Sequence, residues 1–428
     1  LTPNIGSSGA LWRHRDFLKL WAAQSVSSFG ARITREGLPL AAVLSIDAPP
    51  AELGVLAALT QGPALIVGLF AGGLVDRSRR RSILIASDVA RAAVLLTVPI
   101  AAWFHWLSMP LLYGAAALAG MLSALFDIAD HAYLPSLIGR EQVMEGNSKL
   151  GITESIAEIG GPAFAGLLVQ ALTAPIAIAV NAATYLVSAA FLAAIRARES
   201  LAERTERRPW HRNLAAGFAV IRAQPVLRVL FTLSLVTPLF GSFFSALYVL
   251  FAIRTLHLSP AMLGVTIAFG GAGAMAGAAL ARPLADRFGI GPAIAMLAFL
   301  SSLFALLVPL AMGTPALAMA ILIAAQLGGD SSGTAFIILA RSLRQMIVPG
   351  RMLGRVAAVF QVTSGAVGVA GALAGGALAQ TIGPRTTLLI AAAGYFLLPI
   401  IVAASPLSRL QTAPDPAEEP IDPRPSPG

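Results

Sequence analysis

The 428-residue sequence contains no cysteine. That excludes disulfides, thiolate metal sites and a cysteine nucleophile together. Charge is scarce too: 12% of residues are charged and 57% are hydrophobic, far from the balance of a soluble enzyme. No GxSxG elbow, HExxH or glycine-rich nucleotide signature stands in a fitting context, and no soluble stretch is long enough to house a second activity. A membrane enzyme or receptor is therefore disfavoured. The first twenty residues lack the apolar core and small-residue cleavage site of a signal peptide, so the first apolar span is expected to serve as its own insertion signal. The net charge of +9 could suggest nucleic acid as a partner. The positive residues sit in short loops between apolar runs, where they report topology instead.

What the chain has is apolar runs. Twelve lie at about 17–46, 51–75, 82–104, 110–134, 150–172, 176–195, 226–253, 261–284, 291–312, 315–340, 355–380 and 386–404. Most approach the ~20 residues that cross a bilayer, and lipid cannot satisfy backbone amides, so they are expected to be helices. Of the 30 Lys and Arg residues, only Arg254 and Arg385 fall in loops on the far side, and Arg32, Arg35 and Arg91 fall within spans. The rest gather on the side of the two termini, which puts both termini in the cytoplasm.

The span 2–3 loop, GGLVDRSRRRSIL at 72–84, packs an aspartate among four arginines. RPLADRFG at 282–289 echoes it, with Asp286 lying 210 positions after Asp76. A signature that returns at half the chain length indicates two copies of one unit. The expected organisation is a six-span unit at 1–195, a cytoplasmic linker at 196–225, a second unit at 226–406 and a disordered tail at 407–428. Within the linker, Glu203 and Arg207 have the spacing of a helical pair, and HRNLAAGFAVIRAQP suits a helix at the inner interface.

The GxLxDRxxRR pattern of Gly72, Asp76, Arg77, Arg80 and Arg81 resembles the loop 2–3 motif of the major facilitator superfamily, and Asp286–Arg287 resembles its second-half echo. Gly161-Pro162 with Ala165-Gly166 is similar to the span-5 motif of the superfamily's antiporters, with an alanine in place of the first glycine of the closing pair. SLRQMIVPGRMLGRV at 342–356 resembles the subgroup of macrolide exporters, enterobactin exporters and lysophospholipid transporters. The resemblance covers about residues 12–405. It implies an all-α membrane protein of twelve transmembrane helices, arranged as two pseudo-symmetric six-helix bundles. It also implies that the Asp76 cluster latches the cytoplasmic side against the start of span 11, at Gly354-Arg355. Read without the resemblance, the arginines could simply hold topology.

Ionisable groups inside spans are costly and mark pathways or pairs. Asp88 and Arg91, three apart on span 3, suit a mutual structural pair. Asp127, Asp130 and His131 share one face of span 4 and could be a proton relay or part of a charge cluster with Asp76 and Arg91. A metal site is disfavoured because no further His or Cys lies nearby. Glu154 and Glu158 share a face of span 5. Glu158, near the bilayer centre and with no evident partner in sequence, is the leading proton carrier, while Arg91 could pair with Glu154. On span 1, Arg32 and Glu36 are four apart beside Arg35; they could form a closed ion pair, or Glu36 could exchange a proton. Asp330 is the acid buried in the second half. For the cavity wall, Phe240, Phe243, Phe244 and Tyr248 cluster near Pro238 and Gly241, and Gln24, Arg32, Asn181, Gln326 and Gln361 could add polar contacts.

These observations lead to a secondary active transporter, with protons moving in as a small hydrophobic or amphipathic compound moves out. The alternative is an uncoupled facilitator or a lysophospholipid flippase. The expected setting is the cell (inner or plasma) membrane, and the expected partners are a small-molecule substrate, protons and the lipid bilayer. A monomer is expected, with no nucleic acid, cofactor or metal.

Overall fold

A computed structural model describes residues 10–197 and 210–412, apart from the side chains of 10, 69–77, 140, 210 and 211. The described residues are almost wholly helical and contain no strand. In chain order come α1 (Arg15–Ser45), α2 (Pro50–Arg77), α3 (Arg80–Trp103), α4 (Met109–Ile138), α5 (Val143–Leu172) and α6 (Ala174–Ala193). The short α7 (Trp210–Ala223) follows, occupying the expected linker helix. Then come α8 (Pro225–Leu250), α9 (Pro260–Phe288), α10 (Ile290–Leu310), α11 (Pro315–Ile347) and α12 (Leu353–Ile382). The last span is in two pieces, α13 (Pro384–Tyr395) and α14 (Leu397–Ala403), separated at Phe396.

Counting α13 and α14 together, eleven spans among the described residues are long and apolar enough to cross a membrane. The twelfth long helix is α1, whose 31 residues include Arg32, Arg35 and Glu36 and which packs along α5 and α6 as the other spans do. The expected spans are all present. Helices α4, α5 and α11 run farther on the side of the termini, because polar turns such as Val143–Lys149 continue a helix without adding to an apolar run.

Within the first six long helices, α1 packs on α5 and α6, α2 on α4, and α3 on α4 and α6. Within the second six, α9 packs on α11, α10 on α11 and α13, and α8 on α12 and α13. Two main crossings join the sets, α5 on α9 and α2 on α12, with lesser contacts of α8 on α2 and α1. The apolar core shows how they are joined. Away from the termini, one continuous cluster includes Val43, Leu53 and Leu56 from the first set and Leu250, Phe251 and Leu322 from the second. On the terminal side the core divides. Phe17, Leu84, Tyr133 and Leu192 belong to one cluster, and Leu227, Ile294, Leu343 and Val356 to another. The two bundles therefore share a core at the far end and keep separate cores at the terminal end.

Glycine makes the far-end closure possible. A Cβ on Gly54 would stand 2.6 Å from the carbonyl oxygen of Ala372 and 2.8 Å from Cα of Gly376. A Cβ on Gly166 would stand 3.0 Å from Cα of Gly264. Both crossings depend on bare backbone meeting bare backbone. Asp47 and Arg254 add an ion pair at 2.6 Å, and the amide of Ala261 donates to Oε1 of Gln170 at 3.1 Å. With Asp47 91% exposed, that bridge contributes little, and packing carries the closure.

Turns between consecutive helices use positive φ. Gly139, Gly289 and Gly383 stand at 78°, 86° and 84°. Between α5 and α6 the same task falls to Thr173 at φ 105°, a region nearly closed to residues with a Cβ. Thr173→Gly is expected to raise stability by about 1 kcal/mol or more, read as a higher unfolding midpoint in detergent.

Residues 407–411, assigned to the tail from composition, are packed in the structure. Leu407 is fully buried, and the carbonyls of Leu410 and Gln411 accept from the amides of Gly291 and Ile290. The remaining tail, 413–428, and the Glu203–Arg207 pair lie outside the described residues. Helix α7 rests on α12 and α8, and Gly217 lies so close to α12 that a Cβ would be 2.6 Å from the Arg355 carbonyl.

Candidate functional site

Where α1 meets α5, a group of charges gathers at mid-span. Arg32 forms an ion pair with Glu158, and Nη1 of Arg35 approaches Oε1 of the same carboxylate at 3.5 Å. Nε of Arg35 also lies 3.9 Å from Oε1 of Glu36. Glu158 therefore has two cationic partners, contrary to the expectation that it had none. Arg32 pairs with Glu158 rather than closing on Glu36. Sequence could not reveal this, because Arg35 and Glu158 lie 123 positions apart.

Gly161 explains the geometry. A Cβ there would be 2.6 Å from Cγ of Arg32, so the glycine opens the groove in which the arginine stem lies on its way to Glu158. The span-5 motif thus has two tasks. Gly161 admits Arg32, while Pro162 and Gly166 form the seat for Gly264 of α9. Glu158 is 42% exposed and Glu36 12%, so the cluster is part open and part enclosed. Across the bundle interface, Gly271 of α9 lies against the backbone of Glu158 and Ile159.

A second group is sealed inside the first bundle. Asp88 and Arg91 form the expected pair, 0% and 4% exposed. Ser188 Oγ donates to Asp88 at 2.6 Å, and Arg91 donates to Ser123 at 3.3 Å. The guanidinium lies between the rings of Phe126 and Tyr185, 4.4 and 4.2 Å from their centroids. Arg91 is thereby committed to Asp88 and is not the partner of Glu154.

Asp127, Glu154 and His131 are exposed on α4 and α5 and lie within electrostatic reach of one another. Asp130 accepts from Nε2 of Gln24 on α1. The Asp127–Asp130–His131 set does not converge into a metal-binding group. Gln24 gives one amide N–H to Asp130, tying α1 to α4.

Of the residues expected at the cavity wall, Asn181 and Phe243 are enclosed. Asn181 is fully buried and donates to Thr34, fastening α6 to α1 instead of facing a void. Phe243 is 4% exposed, with its ring 3.0 Å from the Cβ position of Gly375, and serves α8–α12 packing. Phe240 lies against Gly394, and Phe244 meets the Tyr395 ring at 6.0 Å. Tyr248 has a buried hydroxyl close to the Thr266 side chain of α9. Gln326 faces α9 at Gly270, and Gln361 is exposed.

In the loop motif, the side chains of Gly72, Asp76 and Arg77 lie outside the described residues, and Arg80 has a partner. Arg81 donates to the carbonyls of Leu192 and Ala193 at 2.9 and 2.6 Å, capping the last turn of α6. Asp286 pairs with Arg282 at 3.6 Å, Arg287 lies over the Phe288 ring, and Arg355 approaches the Met352 sulfur at 3.4 Å.

The family described as transmembrane secretion effector matches residues 6–425. Among curated relatives, the multidrug efflux pump Tap of Mycobacterium bovis is 28% identical over 63% of this chain and 66% of its own length. The class C tetracycline resistance protein of Escherichia coli is 28% identical over 59% of this chain and 62% of its own. The uncharacterized MFS-type transporter YfiS of Bacillus subtilis is 26% identical over 42% of each. The chain thus spans about two fifths to two thirds of the length of these relatives. Among solved structures, the nucleoside transporter NupG superposes with a TM-score of 0.77 at 12% identity, covering 91% of this chain and 98% of that one. A bacterial homologue of the iron transporter ferroportin, in its inward-facing state, gives 0.70 at 17% identity, covering 91% and 98%. At these identities the likeness is one of fold.

Proposed function

The chain belongs to the transmembrane secretion effector family of the major facilitator superfamily, and from that premise we propose that it is a proton-coupled exporter of small hydrophobic or amphipathic compounds. It is a multi-pass membrane transporter and not an enzyme. The finer reading rests on one observation. Glu158 is held by two arginines of α1 while its own helix forms one of the two main crossings between bundles.

Protonation removes the charge that holds Arg32 and Arg35, and a freed guanidinium must find another acceptor or water. Glu36 already stands beside Arg35. Because α5 also carries the Gly166–Gly264 contact, a change in Glu158 pairing acts on the helix that must move for the far end to open. With basic residues marking the terminal side as cytoplasmic, the divided core there corresponds to an inward-open form. Residues 1–195 and 226–406 then rock as two bodies about the joined end, with 196–225 as the linker. The exposed acids Asp127 and Glu154 lie along the cytoplasmic approach to Glu158.

The test uses everted membrane vesicles with an imposed proton gradient and fluorescent amphipathic probes. Glu158→Gln is expected to reduce gradient-driven accumulation at least tenfold while leaving substrate counterflow intact. Equal loss of both would assign Glu158 a structural role. Undiminished gradient-driven transport would remove it as the coupling group, and gradient-independent transport by the unsubstituted protein would favour the facilitator reading.

A further inference from the structure

The second bundle contains a polar pocket that the coupling scheme does not use. It is a cavity of about 190 Å³ between α8, α10, α11 and the last span, lined among others by Thr237, Ser301, Asp330, Thr334, Tyr395 and Leu398. Asp330 has no salt-bridge partner among the described residues, unlike Asp16, Asp88 and Glu158 of the first bundle. Thr237 spends its proton on the Leu233 carbonyl at 2.9 Å, which leaves its oxygen as an acceptor. The pocket wall carries no Lys, Arg or His. It therefore offers hydrogen-bond acceptors and one carboxylate, an arrangement that repels anions and suits a cation.

Two further features bear on the pocket. The last span is pinned beside it: Ser302 Oγ donates to the Tyr395 carbonyl at 2.8 Å, one residue before Phe396, whose backbone stays helical between α13 and α14. The Tyr395 ring stands at the pocket and against Phe244. On its other side, Asp330 reaches α9, where a Cβ on Gly270 would collide with its carboxylate and stand 3.2 Å from Nε2 of Gln326. The next residue, Gly271, touches the backbone of Glu158. The pocket is thus in continuous contact with the crossing that carries the proposed coupling group, and the charges of Arg35 and Glu158 act on Asp330.

We propose that Asp330, with the hydroxyls of Thr237, Ser301 and Thr334 and the ring of Tyr395, forms a subsite inside the second bundle for the protonated amine of an amphipathic substrate. This deepens the export reading and rests on it. A carboxylate with hydroxyl acceptors receives the N–H donors of an ammonium, and the aromatic face attracts the same charge. Leu398, Ile337 and Ala298 provide apolar wall for the adjoining alkyl carbons. A bare proton needs no such volume, and a sodium ion needs no apolar wall.

The experiment measures the unfolding midpoint of the purified full-length protein in detergent, titrated with hexylammonium, with neutral hexanol and with sodium. Hexylammonium is expected to raise the midpoint saturably, and hexanol and sodium to leave it nearly unchanged. Asp330→Asn should weaken hexylammonium at least tenfold, Asp330→Glu should retain part of the affinity, and Ser301→Ala should weaken it several-fold. Asp47→Asn, at an exposed acid outside the pocket, should bind hexylammonium as the unsubstituted protein does. The proposal is overturned if Asp330→Asn binds hexylammonium normally, if hexanol matches it, or if sodium displaces it at the same site. A wild-type protein that ignores hexylammonium yet shows gradient-driven transport lost in Glu158→Gln would defeat the subsite and leave the export reading standing.

Discussion

Arg91→Ala is expected to destabilise the folded protein by about 3–5 kcal/mol, since it strands the Asp88 carboxylate in a dry interior. Asp88 is 0% exposed and keeps only Ser188 as a donor once the guanidinium is removed. The rings of Phe126 and Tyr185 lose the cation between them, and a void opens where α3, α4 and α6 converge. The measurement is thermal unfolding in mixed micelles. Changing both members of the pair to similarly sized apolar residues should recover most of the loss, because a buried pair is far costlier to break than to replace. A midpoint unmoved by Arg91→Ala would mean that the pair is hydrated in the membrane-embedded protein.

Gly166→Leu is expected to force the far end open. A side chain there has to displace the backbone of α9 at Pro260 and Gly264. Overpacking of this kind costs about 1–3 kcal/mol, and here only the closed form bears it. The equilibrium between forms then moves by about 5- to 150-fold. The absence of native cysteine makes the readout direct. Leu263 is 1% exposed in the joined core, so Leu263→Cys should label slowly with a membrane-impermeant thiol reagent applied from the far side. Adding Gly166→Leu should speed that labelling by a factor in the range above. Gly54→Leu at the other crossing should act in the same direction, and unchanged labelling in both would show that the crossings yield without opening.

How much of this was legible in the sequence follows from the kind of physics involved. Lipid forces every backbone amide into a helix, so the spans could be read from apolar runs alone. The polar ends of α5 and α11 could not, because no such constraint applies outside the hydrocarbon. The Asp88–Arg91 pair was legible since both residues sit on one helix, three apart. The pairings of Arg32 with Glu158, Gln24 with Asp130 and Asn181 with Thr34 join different helices, and no local spacing encodes them. Gly161 was noted as part of a motif, but its specific task, making room for the Arg32 stem, appears only once α1 lies across α5. The loop motif makes Arg81 part of a latch, whereas its hold on the end of α6 carries no sequence signal at all. The pocket at Asp330 was hidden for a similar reason: its walls come from four helices, and a lone aspartate in an apolar run does not announce hydroxyls from two others.

The unequal core has a thermal consequence. Parting the far end would wet apolar surface that the joined core keeps dry, whereas the other end, with its divided core, already leaves Asp127, His131 and Glu154 exposed. The attraction between apolar surfaces weakens on cooling, and its loss raises heat capacity. Opening of the far end should therefore come more easily in the cold, with a temperature dependence that curves instead of following a straight Arrhenius line.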